Sequence, residues 1–280
     1  MPVGIPGLHA VDHQRAEENF PVALRVLPRA VRDDLIAIYG YARLVDDIGD
    51  EYEGDRLAAL DWLQRDVGAA FDGRAEHPVL RRLTPTIRAR RLTVQPFLDL
   101  IEANRRDQTK HQYATFGELL DYCKFSANPV GRLVLAVFGV DDAELLRLSD
   151  DVCSGLQVIE HLQDVGEDHR AGRVYLATDD LDAFHLTDDD LGTGSASYEL
   201  RCLIAFQWAR ARQLLRSGRP LTGSLHGWSR AAIAGFVAGG EAALDSILDA
   251  QFDVLGVDCK PRRSRVARHA CSLLFMKADG

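Results

Sequence analysis

Residues 154–176 read SGLQVIEHLQDVGEDHRAGRVYL. The run begins as an apolar helix and then turns acidic. Glu160, Asp164 and Asp168 recur every fourth residue, which at helical pitch stacks their carboxylates along one face, roughly 6 Å apart per turn. Like charges stacked in this way repel, so the face asks for a cation. Carboxylate oxygens suit a hard ion such as Mg²⁺, which keeps water and substrate phosphate in its shell. A solvated acidic face is the simpler reading of most charge runs. Here the other faces carry Leu156, Val158, Ile159, Leu162 and Val165, which predicts a buried helix whose carboxylates need partners.

A second acidic run repeats the arrangement. Residues 42–51 read ARLVDDIGDE and follow an apolar helical stretch of Leu35, Ile36, Ile38, Tyr39, Tyr41, Leu44 and Val45. Asp46 and Asp50 share a face at i, i+4, as do Asp47 and Glu51. Two such runs, each closing a hydrophobic helix and separated by about a hundred residues, predict two acidic walls across a helical core. Walls of that kind hold several Mg²⁺ ions, which in turn take a diphosphate. Arg43, one turn before Asp46 and Asp47, offers a forked cation for diphosphate oxygens. The competing reading is a local i, i+4 salt bridge from Arg43 to Asp47, and both can hold in one metal-free protein. Tyr39 lies one turn before Arg43. Arg173 and Tyr175, just past the second run, are placed to close over the site, and a core tyrosine is an equal reading of Tyr175.

No other chemistry competes. His161 and His169 form no zinc spacing and read as packing or surface residues. There is no dinucleotide fingerprint, phosphate-binding loop or nucleophile elbow. The net charge of −9 argues against a nucleic-acid surface. The five cysteines form no CxxC pair, which fits a reducing compartment. The N-terminus lacks the pattern of a signal peptide, and no stretch reads as a membrane span of ~20 uncharged apolar residues. The sequence therefore predicts a cytoplasmic protein, at most peripheral to the inner face of the membrane.

The remaining pattern is helical. Residues 12–25 read as a helix containing Phe20 and kinked at Pro21. Pro28 falls in the first turn of the next helix. Asp55 caps a helix with Leu57, Leu60 and Leu63 on one face. His77 and Pro78 open another, and Pro96 the one after it. Thr115 and Glu118 form a capping box. Asn128, Pro129 and Gly131 break an apolar helix midway. Ser197 opens a helix that Gly218 and Pro220 stop. Ala238, Gly239 and Gly240 allow close helix contact. No strand series appears. The expectation is one all-α domain over residues 1–280, of roughly ten helices with a central cavity, after a loose lead-in over residues 1–12.

The motifs together resemble the squalene/phytoene synthase family. They are ENFPVA, IYGYARLVDDIGDE, YCKFSANPVG and GLQVIEHLQDVGEDHRAGRVYL. The resemblance runs from about residue 17 to 270 and implies an isoprenoid synthase helical bundle. It implies Mg²⁺ on Asp46 and Asp50 of one wall and Asp164 and Asp168 of the other, diphosphate contact by Arg43, and Tyr39, Tyr122 and Gln157 near substrate. Phe20 and Asn128 lie in the runs ENFPVA and SANPVG, which are similar to those of hydroxysqualene synthases within the family. Those enzymes convert presqualene diphosphate to hydroxysqualene on the way to hopanoids. Gln163, where the family usually has arginine, suits that subgroup. Glu160 stands where the family usually has asparagine, and adds a charge to the second wall. The resemblance also implies a lipid product, hence peripheral membrane contact and upstream and downstream enzymes of one pathway. The alternatives are head-to-head prenyl transfer, giving presqualene diphosphate, squalene or a phytoene-type product, and a non-catalytic helical lipid scaffold.

Overall fold

The computed structural model describes residue 5 and residues 27–275. The helix expected over residues 12–25, with Phe20 and Pro21, lies outside the described residues. Among the described residues the secondary structure is helical, apart from one isolated parallel bridge between Gln112 and Val174. The all-α expectation holds. The described residues fall into two compact units, one ending at Thr109 and resuming over Lys124–Leu146, the other made of Lys110–Cys123 and the residues from Arg147 onward.

The first unit is built on α1, Arg29–Asp50. Its Leu35, Ile38, Tyr41, Leu44, Val45 and Ile48 are all buried, the three- and four-residue spacing of a helix with an apolar face. Pro28 sits at the N-cap, one position outside the helix. The Tyr41 hydroxyl donates to the Phe97 carbonyl at 2.8 Å, and the two rings meet edge to face. Helices α2 (Arg56–Phe71), α3 (Pro78–Arg90), α4 (Gln95–Asp107) and α6 (Asn128–Val137) complete the unit. Asp55 caps α2 by accepting from the Ala58 amide at 2.9 Å. Leu57 departs from expectation: it is exposed, while Leu60 and Leu63 are buried, because the first turn of α2 lies outside the packed stripe. His77 caps α3, with Pro78 in its first turn. The break before Pro129 falls at Ala127, since proline removes the helical donor and restricts the residue before it.

In the second unit, Thr115 caps α5 (Phe116–Ser126) by accepting from the Glu118 amide at 3.2 Å. The reciprocal bond of the expected box goes one residue further back, from the Ala114 amide to Glu118. The long α7, Ala143–Gln163, is followed by α8 (Val165–Arg170) and α9 (Thr178–Ala183). A 3₁₀ turn over Asp188–Gly192 leads to α10 (Tyr198–Gly218), α11 (Pro220–Ser224), α12 (Gly227–Asp249) and α13 (Arg263–Phe275). Gly155 and Gly240 let helices approach closely: a Cβ on Gly240 would lie 2.6 Å from Leu156 and one on Gly155 3.2 Å from Leu214. Gly239 has open space beside it, so only part of the small-residue stripe is used for contact. By length and composition alone α12 is apolar enough to cross a membrane, with a mean hydropathy of 1.4, but it is not an uncharged run and 56% of that window is buried inside the protein. The helix carries Arg230, Glu241, Asp245 and Asp249 and lies along α13, where His269 and Arg268 meet Asp245. Its apolarity is that of a core helix.

Candidate active site

The first acidic run closes α1. Its helical phase splits the carboxylates into two sets. Asp46 and Asp50 are exposed, whereas Asp47 is buried. Arg43 makes the local bridge, its Nε 2.8 Å from Asp47 Oδ1 and its Nη2 3.1 Å from Glu51 Oε1. That leaves Asp46 and Asp50 as the solvent-facing pair, with Tyr39 half-buried one turn before Arg43.

Asp46 is held from behind by a residue the sequence did not mark. Asn104 on α4 is buried, and its Nδ2 donates to Asp46 Oδ1 at 3.2 Å. Gly49 makes room for it, since a Cβ there would fall 1.9 Å from the Asn104 amide oxygen. Gln108 continues the support by donating to the Gly49 carbonyl at 3.0 Å. A lone amide on the apolar face of α4 was the available signal.

Desolvation by the surrounding protein, with Asp50 and Asp47 as like charges, pushes the Asp46 carboxyl up to about 7, against the Asn104 bond and Arg43. Water nevertheless reaches this side chain, so the energetic consequence is smaller than for a sealed group. Asp47 is raised as well, chiefly by burial, with Arg43 opposing.

The second acidic run is not the single continuous helix expected. Helix α7 ends at Gln163, and Asp164 has φ −103° and ψ 12° before α8 begins at Val165. The four-residue bonds persist on both sides, from Asp164 N to the Glu160 carbonyl and from Asp168 N to the Asp164 carbonyl. The break divides the expected wall. Glu160 is exposed and accepts a long 3.4 Å bond from Gln157, whereas Asp164 and Asp168 are half-buried. Among the described residues no three His, Cys, Asp or Glu side chains gather tightly enough to cage an ion. Burial, then Asp168 and Glu167, push the Asp164 carboxyl up to about 6, and Lys260 opposes.

His161 and Tyr175 are brought together face to face, ring centroids 3.7 Å apart and 12° from parallel. Tyr175 also stacks on Tyr113, and Tyr122 packs against both. Burial lowers the His161 pKa, with Asp168 opposing. The histidine Nδ1 lies 3.8 Å from Asp168 Oδ2, and Arg173 Nε lies 3.9 Å from the other oxygen. His161, Asp168, Arg173 and Tyr175 line a small cleft with Val165 and Leu191. His161 is therefore a packing residue, as the sequence suggested, but one packed inside the candidate site. Asn128 is buried at the start of α6 in the first unit. Gln163 donates at 2.7 Å to the Cys259 carbonyl.

The carboxylates fit Mg²⁺ in its usual manner, in which one or two protein carboxylates are completed by water and phosphate. Burial, with the neighbouring carboxylate adding to it, raises one carboxyl in each of the Asp46/Asp50 and Asp164/Asp168 pairs, and these hard oxygen donors are of the kind Mg²⁺ takes.

Each unit is helical and carries one acid-rich helix end, the second beside an aromatic cleft. The chain belongs to the squalene/phytoene synthase family, whose model matches residues 13–269. It is 38% identical over 214 residues to a hydroxysqualene synthase of Rhodopseudomonas palustris, covering 75% of this chain and 72% of that one. It is 32% identical over 224 residues to a phytoene synthase of Arthrospira platensis, again covering 75% and 72%. The fold is similar to the crystal structure of squalene synthase HpnC from Alicyclobacillus acidocaldarius, with a TM-score of 0.81 and 41% identity over 87% of this chain and 94% of that one. The chain is an enzyme of this family, and the scaffold alternative is set aside.

Proposed function

We propose that the chain ionises presqualene diphosphate and captures the resulting cation with water, giving hydroxysqualene and diphosphate. The observation that carries this reading is the greater likeness to a hydroxysqualene synthase than to a phytoene synthase over the same share of the chain. Asp46 and Asp50 in the first unit, and Asp164 and Asp168 in the second, would hold Mg²⁺. Mg²⁺ supplies Lewis-acid neutralisation of the departing diphosphate. Arg43 is a fixed cation beside the first carboxylates and orients diphosphate oxygens. His161 and Tyr113 stack on the Tyr175 ring, so Tyr175, Tyr113 and Tyr122 supply a packed aromatic wall for a hydrocarbon substrate rather than open ring faces. In the reaction the C–O bond breaks and its electron pair leaves with diphosphate. A water oxygen then bonds to carbon and its proton passes to solvent, so no reductant is consumed. The lipid product supports peripheral contact of a cytoplasmic enzyme with a membrane.

Incubation with presqualene diphosphate in ¹⁸O-labelled water tests the reading. A C30 alcohol carrying the label is expected by mass spectrometry. An unlabelled hydrocarbon formed only with NADPH moves the assignment to squalene synthesis. Turnover of farnesyl diphosphate alone moves it to head-to-head prenyl transfer.

Glu160 gives a second expectation. Because it is exposed and sits on the far side of the break from Asp168, Glu160→Leu is expected to shift half-saturating Mg²⁺ by no more than about twofold, the scale of a solvated surface charge. A much larger shift in Mg²⁺ titrations of turnover would make Glu160 a ligand.

A further inference from the structure

The geometry points to Gln163 as a positioning residue that sets Asp164 by tying the helix break to a strap, the α12–α13 connection over residues 250–262. Asp164 leaves helical geometry with no proline or glycine at that position, so something else must hold the break. The preceding residue provides it. Gln163 Nε2 donates at 2.7 Å to the carbonyl of Cys259, 96 residues away. Cys259 is buried. The strap is also pressed against α8, where a Cβ on Gly166 would lie 3.1 Å from the Leu255 side chain. The two contacts fall on either side of Asp164.

A tether positions only if its far end is fixed, and this one is. Asp253, buried in the strap, accepts from the Ala196 amide at 2.7 Å, the Ser195 hydroxyl at 2.8 Å, the Gly256 amide at 3.0 Å and Arg201 Nη2 at 2.6 Å. The bonds to Ser195, Ala196 and Arg201 fix the strap to the start of α10, and the Gly256 bond closes a turn within the strap. At its other end Ser246 of α12 donates to the Lys260 carbonyl at 3.3 Å. The strap enters through Gln251 and Phe252, both at positive φ, 51° and 62°, a conformation that non-glycine residues hold only where surrounding contacts impose it. The Cys259 carbonyl is thus a fixed acceptor, and Gln163 transmits its position to the next residue in the chain, Asp164. Partners one step behind a metal ligand commonly govern its affinity in this way.

The inference deepens the proposed Mg²⁺ reading, and its metal arm rests on that reading. The test uses the full chain with Gln163→Met, which keeps length and removes the donor, and Gln163→Lys, which restores a donor within reach. Amide hydrogen exchange over residues 257–260 and calorimetric Mg²⁺ binding in the presence of inorganic pyrophosphate are measured on each. The methionine variant is expected to raise exchange in the strap and weaken Mg²⁺ binding about tenfold, with the lysine variant recovering part of both. Wild-type affinity in the methionine variant overturns the positioning role. Absence of Mg²⁺ binding by the wild-type chain removes the metal reading instead. The exchange data then decide the tether alone, raised exchange supporting it and unchanged exchange overturning it. A variant that fails to fold gives no wild-type exchange elsewhere in the chain, and the lysine variant then carries the comparison: recovered folding supports the tether, and none overturns it.

Discussion

Asp46→Asn is expected to lower turnover by about a thousandfold if Asp46 holds Mg²⁺ as proposed, because losing its charge would remove several kcal/mol of stabilisation at the leaving group. The same substitution is expected to make the metal-free protein more stable at pH 8. The sign follows from linkage. The Asp46 carboxyl is raised to about 7 in the folded chain, against roughly 4 for an unfolded aspartate. Between those values the folded state binds more protons than the unfolded one, so stability falls as pH rises from about 4 to 7. Asp164, raised to about 6, adds to the fall over the lower part of the window. Since water reaches Asp46, the discounted penalty is about 1–2 kcal/mol at pH 8 rather than the full linkage value. Asparagine carries no charge and keeps an oxygen for the Asn104 donor, so the slope flattens. Mg²⁺ is expected to raise the wild-type melting temperature more at pH 8 than at pH 5, where protons compete for the same oxygens. Thermal melts of both proteins at the two pH values, with Mg²⁺ or with chelator, check this. Parallel pH profiles for wild type and variant would place Asp46 outside the cation site.

What the sequence made legible were features whose cause is local. The i, i+4 spacing put Asp46 and Asp50 on one exposed face and paired Arg43 with Asp47. The caps at Asp55, His77 and Ser197 and the break before Pro129 follow from side chains within a few residues. What it hid were features whose cause lies far along the chain. Asn104 reaches Asp46 from 58 residues away, and only the absence of a side chain at Gly49 allows it. The break at Asp164 has no local signature, since the apolar and acidic periodicity runs through it unchanged. Tertiary contact overrode that period at Asp164, and Glu160 lies exposed on the other side of the break from Asp168. The charges of α12 were legible as well: Arg230, Glu241, Asp245 and Asp249 interrupt it, and residues 231–240 between the first two are apolar because the helix is packed within the second unit.

Gly218→Ala is expected to destabilise the chain by about 3 kcal/mol, the upper range for overpacking a tight contact, and to lower the melting temperature by about 5–10 °C. A Cβ on Gly218, at the end of α10, would lie 2.6 Å from the Leu148 carbonyl oxygen and 2.9 Å from the Val152 amide nitrogen, both backbone atoms of α7. Backbone cannot turn aside as a side chain can, so α7 itself must move. Alanine's better helix propensity returns at most about 1 kcal/mol. Gly240→Ala makes the comparison. Its Cβ would fall as close, 2.6 Å from Leu156 Cδ2 and 2.9 Å from Leu215 Cδ1, but these are the ends of flexible side chains that can change rotamer. That variant is expected to cost no more than about 1 kcal/mol after the propensity gain. The two substitutions are chemically identical and differ in what stands opposite, so their ratio isolates the backbone contact. Because α7 carries Gln157, His161 and Gln163, turnover of Gly218→Ala measured well below its melting point is expected to fall, while Gly240→Ala stays near wild type. Equal melting temperatures for the two variants would mean that α7 and α10 can separate at Gly218 without cost, and that the position of the second acidic run does not depend on their contact.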